Sequence, residues 1–78
     1  MMQEYVKFNN VAQVTKFISV IDTLDAHFDL GSGQRVVDAK SLLGVLSLDF
    51  SKPLCLRCHS EDSTIWEKIK PFIYKKAV

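Results

Sequence analysis

The chain has 78 residues, which indicates a single domain over residues 1–78 with one modest hydrophobic core. Apolar residues make up 47% of the sequence, a share that supports folding without disulfide or metal staples. Ten Lys and Arg face nine Asp and Glu, and the formal net charge of +1 gives no electrostatic reason to expect nucleic acid or an anionic membrane as partner.

The sequence also indicates the cellular compartment in which the protein is expected. No apolar run approaches the ~20 residues needed to cross a bilayer. The first residues lack the basic start and the apolar stretch of a signal peptide. Two cysteines in a chain without an export signal favour a reducing compartment and free thiols. We therefore expect a cytoplasmic protein without a membrane partner.

The first two predicted elements are a strand and a helix. Side chains alternate between apolar and polar over residues 2–8, which indicates a strand. Asn10 follows and is a good helix N-cap, because its side-chain oxygen can accept a hydrogen bond from a free amide of the next turn. From there the apolar residues keep helical spacing, which predicts a helix over residues 11–23.

A β-hairpin and a short helix come next. Residues 26–30 alternate and predict a half-buried strand. Residues 31–34 contain two glycines and predict a tight turn, since glycine can take the positive φ that such turns need. Residues 35–39 form the returning strand, and Ser41 is placed to cap a short apolar helix over residues 42–48.

The last third of the chain predicts one more strand and one more helix. Residues 54–60 alternate and indicate a strand that begins after Pro53. The segment over residues 60–63 is rich in capping and acidic residues and suits a helix start, and Pro71 should kink or end that helix. The order β-α-β-β-α-β-α favours the α+β class, an open antiparallel sheet with helices gathered on one face.

One segment carries a family resemblance. Residues 38–48 read Asp-Ala-Lys-Ser-Leu-Leu-Gly-Val-Leu-Ser-Leu, which resembles the most recognisable part of the HPr phosphocarrier family: a strand end, Lys-Ser, then a short apolar helix containing a glycine. The element order, the chain length and the glycine turn agree as well, so the resemblance covers almost the whole chain. It implies an open-faced β-sandwich of HPr type, with a four-stranded antiparallel sheet covered on one face by three helices.

The residue that defines the activity of that family is replaced. HPr proteins carry a histidine just before the first helix, in a Gly-Leu-His-Ala-Arg-Pro-like motif, which takes phosphate from phosphoenolpyruvate through enzyme I and passes it to sugar permeases. Here residues 8–13 read Phe-Asn-Asn-Val-Ala-Gln, so that Asn10 stands about where the histidine belongs and the arginine and proline are missing. His27 and His59 lie in predicted strands, so neither inherits the role. The resemblance implies a non-enzymatic binding or regulatory protein without a cofactor.

The resemblance also implies a regulatory site and a docking surface. Ser41 matches a serine that some HPr proteins use as a phosphorylation site for an ATP-dependent kinase, although capping alone also explains it. The family docks its protein partners through apolar residues of the second helix and the start of the first. In this chain these positions are Val11, Ala12, Leu42, Leu43, Gly44 and Leu46. Core packing is the alternative role for them, and the expected partners are phosphotransferase-system components or a regulator.

The two cysteines suggest a further, remote alternative. Cys55, Cys58 and His59 spell C-x-x-C-H, the pattern of covalent haem attachment, and together with His27 they could also form a zinc site. In a strand, however, Cys55 and Cys58 would point to opposite faces with Cα atoms ~10 Å apart, too far for a disulfide. We therefore predict that Cys58 is buried and Cys55 faces outward. Asp29 is predicted to lie on a solvated strand face.

Overall fold

The computed structural model describes residues 2–74. The elements in chain order are β1 (Met2–Val6), α1 (Val11–Ile21), β2 (Phe28–Ser32), β3 (Arg35–Asp38), α2 (Leu42–Leu46), β4 (Leu54–Cys58) and α3 (Ser63–Ile69). A short 3-10 turn over Lys70–Phe72 follows α3. This arrangement confirms the predicted α+β class.

The four strands form one open sheet in the order β1-β4-β2-β3, with every neighbouring pair antiparallel. Successive strand residues point to opposite sides, and one side is buried. The buried side chains of the strands are Val6, Phe28, Leu30, Leu54, Leu56 and Cys58. We call the other side the open face; it carries Tyr5, Asp29, Cys55 and Arg57, which are exposed or half-buried.

The helices supply the other half of the core. α1 buries Val14, Phe17 and Ile21 at spacings of three and four residues, so that one stripe of the helix faces the sheet. Phe17 lies between the rings of Phe8 and Phe72, with a centroid distance of 5.3 Å to each. Packing of this kind adds to the stability that area burial gives, because offset and edge-on aromatic pairs attract.

Side-chain oxygens cap all three helices as the sequence suggests. Asn10 caps α1, Ser41 caps α2 and Asp62 caps α3, each accepting from a backbone amide of the first turn. α3 ends at Ile69, because proline at position 71 cannot continue an α-helix without loss of a hydrogen bond. Pro71 lies in the 3-10 turn that follows. None of the helices within residues 2–74 has the length and apolarity needed to cross a membrane.

Several predicted boundaries were wrong by two residues. α1 ends at Ile21, α2 at Leu46 and β4 at Cys58, two residues earlier than expected. β2 runs on to Ser32 because Gly31 pairs with Val36 in the hairpin ladder. The loop therefore holds only two residues, and Gly33 at its first central position has φ of 62°, the left-handed conformation that glycine adopts without strain.

Candidate functional site

Asn10 has a structural role at the position where the resemblance expects a phosphate carrier. Its Oδ1 accepts a hydrogen bond from the amide of Gln13 at 2.9 Å. The side chain of Gln13 reaches back and accepts from the amide of Asn9 at 2.8 Å. Free amides at a helix start are the groups that bind an anion, and here the amide of Gln13 is already satisfied by the cap. An amide side chain is also no phosphoryl acceptor.

Ser41 has the same structural role at α2. Its Oγ accepts from the amide of Gly44 at 3.2 Å, and the residue is exposed. At the other end of α2, the guanidinium of Arg35 in β3 donates to the carbonyl and to the hydroxyl of Ser47, at 2.9 and 3.0 Å. These bonds fix both ends of a helix only five residues long, which is too short to be stable by itself.

The six predicted docking residues divide into two groups. Val11, Ala12, Leu42 and Leu43 are exposed, and Leu43 is the most exposed of these at 83%. Gly44 and Leu46 are partly buried. A Cβ at Gly44 would come within 3.3 Å of the Cβ of Val37, so this glycine lets α2 lie close against β3. Leu46 packs against the core cluster.

α1 and α2 are in contact, so their exposed apolar residues belong to two neighbouring helices. α2 is anchored by Arg35 and Gly44 on the side that faces β3, and Leu42 and Leu43 are on the side that is left exposed. A large apolar side chain open to water gains free energy when a partner covers it. Val11 of α1 and Leu42 and Leu43 of α2 are thus exposed apolar residues of two helices in contact, and we refer to these three residues as the α1–α2 surface.

The two cysteines lie on opposite faces of β4, as predicted. Cys58 is fully buried in the core, and Cys55 is half-buried on the open face. Burial raises the pKa of the Cys58 thiol. Both cysteines are free thiols. Since Cys55 and Cys58 point away from each other, Cys55, Cys58 and His59 do not converge on one haem or metal site.

His59 instead lies beside two residues that the motif does not include. His27 immediately precedes β2 and His59 immediately follows β4, and the amide of His59 donates to the carbonyl of His27 at 2.9 Å. Asp29 lies in β2 on the same face as both histidines. The Nε2 atom of His27 is 2.9 Å from one carboxylate oxygen of Asp29, and that of His59 is 2.7 Å from the other. We call these three residues the His–Asp–His cluster.

The cluster is accessible from solvent and electrostatically coupled. The side chains of His27 and His59 are 59% and 41% exposed, and that of Asp29 is 18% exposed. Partial burial works to raise the pKa of the Asp29 carboxyl, but the hydrogen bond to His59 and the charge and hydrogen bond of His27 outweigh it, so the pKa lies below its ordinary value. Asp29 was predicted to lie on a solvated strand face; it does lie on the open face of β2, but its carboxylate is only 18% exposed because the two histidines contact it.

A shallow cavity of about 390 Å³ lies elsewhere on the open face. Tyr5 and Cys55 line it, together with the cationic side chains of Lys52 and Arg57. Arg57 is the cross-strand neighbour of Asp29, which places the cavity next to the His–Asp–His cluster. The open face therefore contains polar and charged groups, whereas the α1–α2 surface is apolar.

Comparisons with known proteins add no assignment. No protein-family model matches the chain, and no curated protein matches it either. The likeness to the HPr family therefore stays a prediction that depends on residues 38–48 and on the order of the elements.

Proposed function

We propose that this protein is an HPr-like binding or regulatory module related to the bacterial phosphoenolpyruvate-dependent sugar phosphotransferase system, without phosphate transfer at a histidine. The partner is a protein of that system, which covers the α1–α2 surface with an apolar groove. The observation that carries the proposal is the 83% exposure of Leu43 on a helix whose ends are held in place. The module acts in the cytoplasm, and its two free cysteines fit a reducing compartment.

The energetics of Leu43 support a binding role. Full burial of a leucine side chain contributes ~1.5–3 kcal/mol, and little of that is realised while Leu43 is exposed. Leu42 and Val11 are exposed as well and would add to the gain on binding. Hydrogen bonds and close packing hold α2 against β3 before any partner binds. Binding therefore pays little conformational entropy to order this surface.

The groups at the start of α1 support the absence of carrier chemistry. A phosphocarrier histidine needs a nucleophilic nitrogen at the helix start and a nearby cation to stabilise the transferred phosphate. Asn10 provides neither, and Ala12 stands two residues further on, where the resemblance would place the arginine. The amide of Gln13 donates to Asn10 and is not free to bind an anion.

The test is a titration of the ¹⁵N-labelled protein with enzyme I and, separately, with a sugar-permease domain of the same system. Binding should shift the amide resonances of Val11, Leu42 and Leu43. Leu43→Ser should weaken binding at least about tenfold, which corresponds to ~1.4 kcal/mol. The matched control is Val36→Ser, which removes an exposed aliphatic side chain from the open face.

We expect Val36→Ser to bind like the wild type, since its side chain lies away from the α1–α2 surface. Equal losses in Leu43→Ser and Val36→Ser would contradict the proposed surface. The absence of binding to every component of the system would contradict the proposed partner class.

A further inference from the structure

The His–Asp–His cluster arises from the pairing of two strands that are distant in sequence. Antiparallel pairing of β2 with β4 sets Phe28 opposite Cys58, and this brings His27 next to His59. Asp29 lies two residues after His27 and therefore points to the same face. The three side chains can each offer one ligand atom, and these atoms all lie within 4.8 Å of one another.

We propose that His27, Asp29 and His59 bind one divalent transition-metal ion, with Zn²⁺ as the representative ion. Two imidazole nitrogens and one carboxylate oxygen form a ligand set that suits zinc and related first-row ions. Three protein ligands leave a coordination position for water, and the exposure of both histidines leaves room for it. Open positions of this kind are typical of catalytic rather than structural zinc sites.

The observed distances are close to those that a bound ion requires. Neighbouring ligand atoms in a tetrahedral zinc site stand about 3.3 Å apart, because each Zn–ligand bond is ~2.0–2.1 Å. His27 and His59 contact different carboxylate oxygens of Asp29, at 2.9 and 2.7 Å. With one oxygen of Asp29 as the ligand, the three ligand atoms lie within 4.8 Å of one another, so a rotation of the exposed imidazoles brings them to a common ion. The two imidazole rings have centroids 5.1 Å apart. Because both side chains are exposed, they can rotate to bring the two imidazole nitrogens to the distance that one ion requires.

The site is independent of the proposed function. The cluster lies on the open face, whereas the α1–α2 surface belongs to the helices that pack on the buried face of the sheet. Neither site shares a residue with the other. Metal binding can therefore fail without affecting partner binding, and partner binding can fail without affecting metal binding.

The test is calorimetric titration of the untagged, reduced protein with ZnCl₂, with the absorption spectrum of bound Co²⁺ as a second readout. We expect one ion per chain. His27→Ala and His59→Ala should each weaken zinc binding by at least about tenfold, since loss of even an outer partner of a metal ligand costs that much. Asp29→Asn should also weaken binding, because it keeps the shape of the side chain but removes its negative charge.

Cys55→Ser is the matched control, since this half-buried thiol lies on the same face of β4 but is not one of the three ligands. It should bind zinc like the wild type and leave the cobalt spectrum unchanged. Resonances of both imidazole rings should shift together as Zn²⁺ is added. The proposal is overturned if the protein binds no zinc, in which case the cluster is only a hydrogen-bonded group. It is also overturned if Cys55→Ser loses binding while His27→Ala and His59→Ala retain it.

Discussion

Three side-chain oxygens, from Asn10, Ser41 and Asp62, determine where the three helices begin. Each accepts a hydrogen bond from an amide that has no partner within its helix. These residues are recognisable in the sequence because short polar side chains before an apolar run are strong helix-start signals.

Replacement of Ser41 measures its contribution as a cap. Ser41→Ala should lower the free energy of unfolding by about 1 kcal/mol, because the amide of Gly44 loses its acceptor. Ser41→Asp should retain most of the stability, since aspartate caps as well as serine does. Urea unfolding followed by circular dichroism measures both. Equal stability of Ser41→Ala and the wild type would show that the cap contributes nothing.

The same Ser41 variant tests the kinase alternative. If an ATP-dependent kinase of the phosphotransferase system modifies this serine, Ser41→Ala should abolish labelling of the protein in a kinase-treated sample. Unchanged labelling of Ser41→Ala would contradict that alternative.

Asp62 gives a prediction about pH. Hydrogen bonds from the hydroxyl and the amide of Thr64 hold the pKa of the Asp62 carboxyl below its ordinary value. A carboxyl whose pKa is lower in the folded state stabilises the fold above the unfolded-state pKa of about 3.9, and this contribution is lost as the pH falls through the folded-state pKa. Asp62→Asn keeps a capping oxygen but cannot titrate. Urea midpoints measured from neutral to acid pH should fall less for Asp62→Asn than for the wild type; an equal fall would contradict the assignment.

Among the elements, β4 shows most clearly what alternation predicts. Leu54, Leu56 and Cys58 face the core, and Cys55 and Arg57 face outward. The sequence predicted this division because apolar residues recur at every second position. The positions at which elements end were predicted less well, since local hydrogen bonds set them. Ser47, for example, donates its hydroxyl to the carbonyl of Gly44 at the end of α2.

The two cysteines of β4 form a matched pair for a stability test. Cys58→Ser places a hydroxyl in the core and should lower the free energy of unfolding by ~1–3 kcal/mol. Cys55→Ser should change it little, because that side chain already meets solvent. A thiol reagent added to the folded protein should modify Cys55 first, since burial also raises the pKa of Cys58. Equal destabilisation by the two variants, or faster modification of Cys58, would contradict this arrangement.

For the molecule as a whole, the sequence predicted the α+β class but not the complete His–Asp–His cluster. Helical stripes and strand alternation are local signals and can be recognised without a structure. The contact between Asp29 and His59 joins residues 30 positions apart and depends on β2 pairing with β4. The zinc alternative grouped His59 with His27, which the structure does bring together, but it included the two cysteines and left out Asp29. The local signal of the cluster was the spacing of two residues between His27 and Asp29, which places both side chains on one strand face.

Two variants at the start of α1 test why phosphate transfer is expected to be absent. Asn10→His alone should not become phosphorylated by enzyme I and phosphoenolpyruvate, because Ala12 supplies no cation for the transferred phosphate. Asn10→His combined with Ala12→Arg restores both groups and should be phosphorylated, since both positions are exposed at the start of α1. Intact-mass measurement gives the labelled fraction. Equal labelling of the single and double variants would contradict the role assigned to the missing arginine.

An HPr-like protein without phosphate transfer at histidine should stay unmodified by enzyme I, and the wild-type chain can be tested for this. The measurement is its intact mass after incubation with enzyme I and phosphoenolpyruvate, beside an authentic HPr as positive control. We expect no adduct on this protein while the control is labelled. An acid-labile phosphate adduct on the wild-type chain would contradict it and would identify His27 or His59 as a phosphate acceptor.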